Sequence, residues 1–144
     1  MKIRDILRDK GTDVVKIGPE ATVLDAMRRL VEHDIGSVVV EEDDEVVGIL
    51  TERDVLRLGA RDPHGWESTQ VRDAMTSDLI IATPDDDTHY CMEIMTRNRI
   101  RHLPIIRGGR LEGIVSIGDV VKASRDDAEA ENQYLKDYSR GRVR

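Results

Sequence analysis

A seven-residue pattern that occurs twice constrains this chain more than any other feature. Gly48-Ile49-Leu50-Thr51-Glu52-Arg53-Asp54 and Gly113-Ile114-Val115-Ser116-Ile117-Gly118-Asp119 both read glycine, two aliphatics, a hydroxyl, two variable positions and an aspartate, 65 positions apart. At the same offset Asp13 falls on Asp78, Pro19 on Pro84, Met27 on Met92 and Ile35 on Ile100, with no gap from Asp13 to Val55. The identities are few, so the repeat rests on the apolar pattern that recurs with them. A chain of 144 residues thus divides into two units, each too small to bury both faces of a sheet alone.

Within the first unit, residues 14–17 read as a short strand broken by Gly18-Pro19. Val23, Ala26, Met27, Leu30 and Val31 then recur at helical spacing and give one apolar face. Ile35 and residues 38–40 begin a second strand, residues 41–45 form an acidic turn, and 46–50 are the return strand. In the second unit a strand at 79–81 precedes Pro84 and a helix with Thr88, Cys91, Met92 and Met95 facing inward. Its strands at 103–106 and 111–115 are joined through Gly108-Gly109, a strong hairpin signal. Val55-Leu56 and Val120-Val121 suit a helix after each motif.

The expected class is α+β, with the order β-α-β-β-α in each unit. A right-handed crossover makes the first two strands parallel and leaves the hairpin antiparallel beside them. Two such sheets packed face to face cover each other. Short lead-in segments stand ahead of the units, Ile3-Arg4-Asp5-Ile6-Leu7 and Val71-Arg72-Asp73-Ala74-Met75. The resulting division is 1–62 for the first repeat with its lead-in, 63–70 for a linker, 71–124 for the second repeat and 125–144 for a charged helical tail. Trp66 is expected to anchor the linker to the core rather than stack on a ligand.

Charge and cysteine usage narrow the function. Net charge is −7, which argues against general affinity for nucleic acid or acidic membranes, so a phosphorylated ligand needs locally placed Arg, Lys or His. Charged residues make up 35% and Phe is absent, so small sheets with a Val, Ile, Leu and Met core follow. A single cysteine, Cys91, excludes an intrachain disulfide framework, fits a reducing cytoplasm and is expected in the core. No apolar run approaches a signal-peptide core or membrane span, so a soluble cytoplasmic chain is expected.

Each motif places its hydroxyl at a strand-to-helix junction with the Asp one turn inside. Taken singly, that pair is a capping box, in which Ser or Thr and an acid three residues on satisfy the helix's orphan N–H groups. Two copies in one register point to a shared use. A helix N-terminus offers N–H groups and a positive dipole end, and a carboxylate accepts hydrogen bonds from two ribose hydroxyls. A pair of nucleotide sites is the functional reading.

The sequence resembles the cystathionine-beta-synthase (CBS) domain family in its tandem form, the Bateman module, over about residues 3 to 124. The resemblance is carried by the two motifs, the Val-Arg-Asp-x-Met-like lead-ins and Arg101-His102-Leu103-Pro104. The tail around Glu131-Asn132-Gln133-Tyr134-Leu135 is similar to that of stand-alone CBS-pair proteins. It implies repeats related by a pseudo-twofold axis, and up to two adenine-nucleotide (AMP, ADP or ATP) sites in the cleft between them. By that resemblance one site uses Thr51, Asp54 and the strand at Ile80; the other uses Ser116, Asp119 and the strand at Val15, with Ile114 among its aliphatics. The resemblance assigns Arg101 and His102 to phosphate, expected at the Asp54 site, and Arg53 is positioned to help there. It also implies a homodimer shaped as a flat disc, with the helices after each motif at its interface.

The copies differ where charge matters: Gly36-Ser37 stands opposite Arg101-His102, and Arg53 opposite Gly118. The two sites are therefore not equivalent. His33, His64, His89 and His102 show no metal-ligand spacing with each other or with Cys91, so no metal is expected. No Ser/His/Asp or Cys/His arrangement for a nucleophile is visible, so no catalytic residue and no obligatory cofactor are expected. The expected function is a non-enzymatic sensor of adenine nucleotides that changes shape or association for an unidentified downstream protein. NAD(H) or another adenosyl ligand in the same cleft is the alternative. From different classes come an enzyme using Asp54 or Asp119 as acid or base, and a nucleic-acid-binding module using the Arg-rich tail. In the tail, Tyr134, Leu135 and Tyr138 form a narrow apolar stripe, and Arg140, Arg142 and Arg144 are expected in solvent.

Overall fold

The computed structural model describes residues 1–139. Its elements are α1 (Ile3–Lys10), β1 (Lys16–Ile17), α2 (Val23–His33), β2 (Ser37–Glu42), β3 (Glu45–Thr51), α3 (Glu52–Arg61), α4 (Val71–Ala74), α5 (Thr88–Asn98), β4 (His102–Arg107), β5 (Arg110–Ser116) and α6 (Ile117–Ser139). The α+β class holds. β1 runs parallel to β2, β2 antiparallel to β3, and β4 antiparallel to β5. The two sheets meet through β3 and β5.

Both hairpins turn in two residues, and this corrects the five-residue acidic turn expected at 41–45. Asp43 and Asp44 both take positive φ (52° and 63°), as do Gly108 and Gly109 (58° and 79°). Positive φ at both central positions is the mark of the turn whose twist suits a hairpin, and Asp tolerates it at modest cost. Each hairpin also slips register at the matching place, between Val40 and Glu41 and between Ile105 and Ile106.

The first strand of the second repeat does not form as expected. Residues 79–81 lie outside any strand, and pairing is reduced to one bridge between Ala82 and Ile105. Pro104 supplies the reason. It stands where the first repeat has Val39, whose N–H donates to the Val15 carbonyl at 3.1 Å. Proline has no N–H, so the matching bond to Ile80 cannot exist.

The lead-in segments are exchanged. Ile3, Ile6 and Leu7 of α1 are buried with Leu103, Ile105 and Val115 of the second repeat. Val71 of α4 is buried with Val38, Val40 and Leu50 of the first. Matching backbone bonds fix each exchange: Ile3 and Arg4 N–H to the Asp86 and Pro84 carbonyls, and Val71 and Arg72 N–H to those of Ala21 and Pro19. The division at 62 and 71 is thus a division of sequence, while each core is built from both halves. On α2, Val23, Ala26 and Leu30 are buried, whereas Val31 is 83% exposed and leaves the expected apolar face. Cys91 lies fully buried, and burial, with Asp86 and Asp87 adding, pushes its thiol up to about 11. Trp66 anchors the linker, packing on Gly59 and donating to the Val55 carbonyl at 3.0 Å.

The tail begins as a direct continuation of the helix after the second motif, since α6 runs unbroken through residue 124. The expectations for Tyr134, Leu135 and Tyr138 concern side chains that are not described, and Arg140, Arg142 and Arg144 lie outside the described residues. Among the described residues no helix is long and apolar enough to cross a membrane.

Candidate functional site

Both motifs form complete capping boxes. The Thr51 N–H donates to Asp54 Oδ2 (3.0 Å) and the Asp54 N–H to Thr51 Oγ1 (3.3 Å). The Ser116 N–H donates to Asp119 Oδ2 (2.8 Å) and the Asp119 N–H to Ser116 Oγ (3.1 Å). Capping alone is worth about 1 kcal/mol per helix. It leaves part of each carboxylate's acceptor capacity available, since an ionised carboxylate has about four lone-pair sites.

The motif glycines have a separate task. A Cβ on Gly48 would stand 2.5 Å from Met75 Sδ and 3.0 Å from the Thr76 carbonyl; on Gly113 it would stand 2.6 Å from Leu7 Cδ2. Each glycine is therefore the floor on which the other repeat's lead-in rests. Leu7 and Met75 are equivalents, and so are Ile6 and Ala74.

What the lead-ins bring to the two carboxylates differs. Beside Asp54, α4 stops after Ala74, and Thr76 pairs with Ile49 through two backbone bonds (2.9 and 3.0 Å). The Thr76 hydroxyl donates to Asp54 Oδ1 at 3.3 Å. Beside Asp119, α1 runs about one turn further, and Lys10 donates to Asp119 Oδ2 (2.6 Å) and to the Ile114 carbonyl (2.9 Å). Burial works to raise the Asp119 pKa. The Lys10 hydrogen bond, the Ser116 N–H and the Lys10 charge together outweigh it, and the carboxyl lies below its usual range.

A cleft opens at each carboxylate. The first, about 560 Å³, is lined by Asp54, Arg57, Arg61, Ala74, Met75 and Thr76. The second, about 140 Å³, includes Ile6, Asp9, Lys10, Asp119, Lys122 and Asp126. They are counterparts under the repeat, yet one carries two arginines and the other interleaved acids and lysines.

Several expected site residues lie elsewhere. Ile80 and Val15 pack on the core of their own repeats and line neither of these two clefts; the other repeat does reach each motif, but through its lead-in. Arg53 is exposed and absent from the Asp54 cleft, because the face carrying Asp54 continues through Arg57 and Arg61. Arg101 is exposed. His102 pairs with Ser116 across β4–β5, while its ring and Glu52 Oε1 both crowd Gly36 of the first repeat. The charges it feels are Glu52, Lys10, Arg101 and Asp119, so it sits between the motifs and not with Asp54. Burial chiefly, then Lys10 and Arg101, lower its pKa against the opposing pull of Glu52 and Asp119. An ordinary histidine pKa near 6.5 is therefore not what this residue has.

Sequence reasoning missed Arg57, Arg61, Thr76 and Lys10. The two arginines were detectable as the third and seventh positions after Asp54 on one helix face. Lys10 had a fainter signal: the lead-ins match at an offset of 68, the rest of the repeat at 65. The three extra residues in the first copy are the added turn of α1.

Comparison with known proteins gives one consistent result. The CBS domain signature matches twice, at residues 3–61 and 71–126. The mitochondrial CBS domain-containing protein CBSX3 of Arabidopsis thaliana is 37% identical over 148 residues, covering 96% of this chain and 72% of its own. The crystal structure of the CBS-domain containing protein ATU1752 from Agrobacterium tumefaciens superposes with a TM-score of 0.83 at 42% identity, over 86% of this chain and 99% of that one. The CBS domain pair of protein MJ0100, solved with 5′-methylthioadenosine and S-adenosyl-L-methionine, shares the fold at TM-score 0.77 and 19% identity, over 88% and 98% of the two chains.

Proposed function

The chain belongs to the CBS domain family, and from that premise we propose that it is a regulatory sensor of adenine nucleotides (AMP, ADP or ATP) without enzymatic activity. The observation that carries the reading is the Asp54 cleft. A carboxylate at a helix N-terminus faces an open space of about 560 Å³ that two arginines further along the same helix face also line and that the other repeat helps to enclose. Ribose hydroxyls donate to the carboxylate, and phosphates meet guanidinium groups, which are well matched to planar oxyanions. Because each cleft is walled by both repeats, a ligand there biases the way the repeats sit together. That is the requirement for a shape-dependent signal.

The solved CBS pair with methylthioadenosine and S-adenosylmethionine is a precedent for the adenosyl class, and NAD(H) belongs to the same class. We assign the reporting surface to a homodimer. Leu56 and Val121 occupy matching positions on α3 and α6 and are 69% and 40% exposed, beside the buried Val55 and Val120. A twofold assembly uses the same patch on both partners. The cytoplasm suits the single thiol, whereas the Arabidopsis relative is named as mitochondrial.

Mass spectrometry of ligand released from the purified chain, beside a thermal-shift screen of AMP, ADP, ATP, NAD(H) and S-adenosylmethionine, tests the reading. An adenosyl compound is expected in both. The Asp54→Ala/Asp119→Ala double variant should lose charge-assisted bonds worth about 1.5–3 kcal/mol, or roughly ten- to a hundredfold in affinity. Unchanged calorimetric affinity in that variant sinks the assignment.

A further inference from the structure

We propose that one chain offers a single working ligand site, the Asp54 cleft with Arg57 and Arg61 receiving the anionic end, while Lys10 acts as a built-in occupant of the Asp119 cleft. The inference rests on the adenosyl-ligand reading above and says which half of the repeat performs it.

Three observations carry it. First, the two carboxylates are spent differently. Asp54 keeps one oxygen on its own cap and the other on the hydroxyl of Thr76. That neutral partner can be replaced by a ribose hydroxyl, which leaves the same number of hydrogen bonds. Asp119 instead holds an ammonium at 2.6 Å that also satisfies the Ile114 carbonyl. A ribose hydroxyl entering there must replace an ion pair with a bond from an uncharged donor, and must leave the carbonyl without its donor.

Second, the space differs. Ile6 lies where the Asp54 side has Ala74, and Lys10 arrives on a helical turn that the other lead-in lacks. Both side chains line the second cleft, which measures about 140 Å³ against about 560 Å³ for the first.

Third, the charge differs. Arg57 and Arg61 are one turn apart on α3, line the open cleft, and show no carboxylate partner among the described residues. Their counterparts on α6 are Lys122 and Asp126, so the second cleft places a carboxylate where the first has a guanidinium. On a chain of net charge −7, two unpaired arginines at one cleft wall favour an anionic ligand end, while the acids of the Asp119 cleft oppose it.

Isothermal titration of the full chain with ATP and with adenosine tests the proposal. One ATP per chain is expected for the natural sequence. Lys10→Met keeps the length of the side chain and removes its charge, so a second, weaker site for adenosine should appear, and Lys10→Gln should do the same. Arg57→Gln/Arg61→Gln should weaken ATP about tenfold or more while adenosine changes less than twofold. Circular dichroism and melting temperature establish that each variant is folded; all these positions are exposed or at a helix end.

Two equal sites in the natural chain overturn the proposal, as does one adenosine site in both Lys10 variants or ATP affinity retained in the arginine double variant. Weaker binding in Lys10→Met identifies Lys10 as a ligand contact and overturns it too. No binding of ATP or adenosine by any of these proteins removes the adenosyl reading itself, an outcome distinct from binding at two equal sites.

Discussion

The two lead-in segments perform the same structural service and finish it differently. Ile3 and Val71 each anchor a short helix in the core of the opposite repeat, held by backbone bonds to equivalent carbonyls. Leu7 and Met75 each rest on a motif glycine. Beyond that point the chains part. The second lead-in stops its helix and pairs its backbone with β3, leaving the neighbouring carboxylate with a hydroxyl partner; the first continues for another turn and delivers an ammonium. A repeat can therefore match in its motif caps and in the way its lead-ins are anchored and still build two chemically unlike clefts, because three residues of extra length fall outside the repeated unit.

The largest expected effect tests the exchange itself. Ile3→Ala removes a fully buried side chain and should destabilise the chain by about 2–5 kcal/mol. The opening should be felt first in the second repeat, so hydrogen exchange should accelerate in β4 and β5 more than in β2 and β3. Val71→Ala removes less side chain and should show the opposite pattern. If Ile3→Ala instead loosens its own repeat, the lead-ins are not exchanged.

An intermediate effect separates the two glycine floors. Gly48→Ala and Gly113→Ala both overpack a filled contact, at a cost of about 1–3 kcal/mol. The Gly48 variant should be the worse, since its Cβ meets the Thr76 carbonyl as well as a side chain, whereas at Gly113 the close atoms all belong to the Leu7 side chain. Backbone fixed by two bonds to Ile49 yields less than a leucine rotamer. Urea denaturation measures both, and equal midpoints would remove the distinction.

Core and caps were legible in the sequence because they are local. Apolar spacing marked Ala26, Leu30, Cys91 and Met95, and the capping box was readable from Thr51 and Asp54 alone. The missing strand at 79–81 was legible in principle, since Pro104 is visible and its lack of a donor is certain. The candidate site was less legible, as its contacts cross between repeats, from 22 positions apart for Thr76 and Asp54 to 109 for Lys10 and Asp119. No periodicity reports that Lys10 will meet Asp119, because the meeting depends on which repeat a lead-in packs against. Family resemblance pointed to Ile80 and Val15 beside the motif carboxylates, whereas the side chains bonded to those carboxylates from the other repeat's lead-in are Thr76 and Lys10.

The smallest effect concerns a position where the repeats carry an ionisable group against a hydroxyl, His102 opposite Ser37. Both side chains lie at the start of the strand that pairs with the motif, and His102 meets Gly36 and Glu52 across the repeat boundary. Because burial lowers its pKa from 6.5, the unfolded chain binds the proton more readily than the folded one. The sign follows: this residue's contribution is fully present above about pH 6.5 and is lost as pH falls through that value towards the depressed folded pKa. Glu52 and Asp119 pull the other way and soften the slope without reversing it. A plot of unfolding free energy between pH 8 and pH 5 should therefore decline on the acid side, and His102→Ser, which copies the first repeat, should flatten that decline. The proton-linked gain in phosphate binding expected of an ordinary histidine between pH 8 and 6 should correspondingly shift to lower pH. A His102 ring that titrates at or above 6.5 by NMR, with an unchanged pH profile in the serine variant, would show that the ring is solvated and that this asymmetry has no energetic consequence.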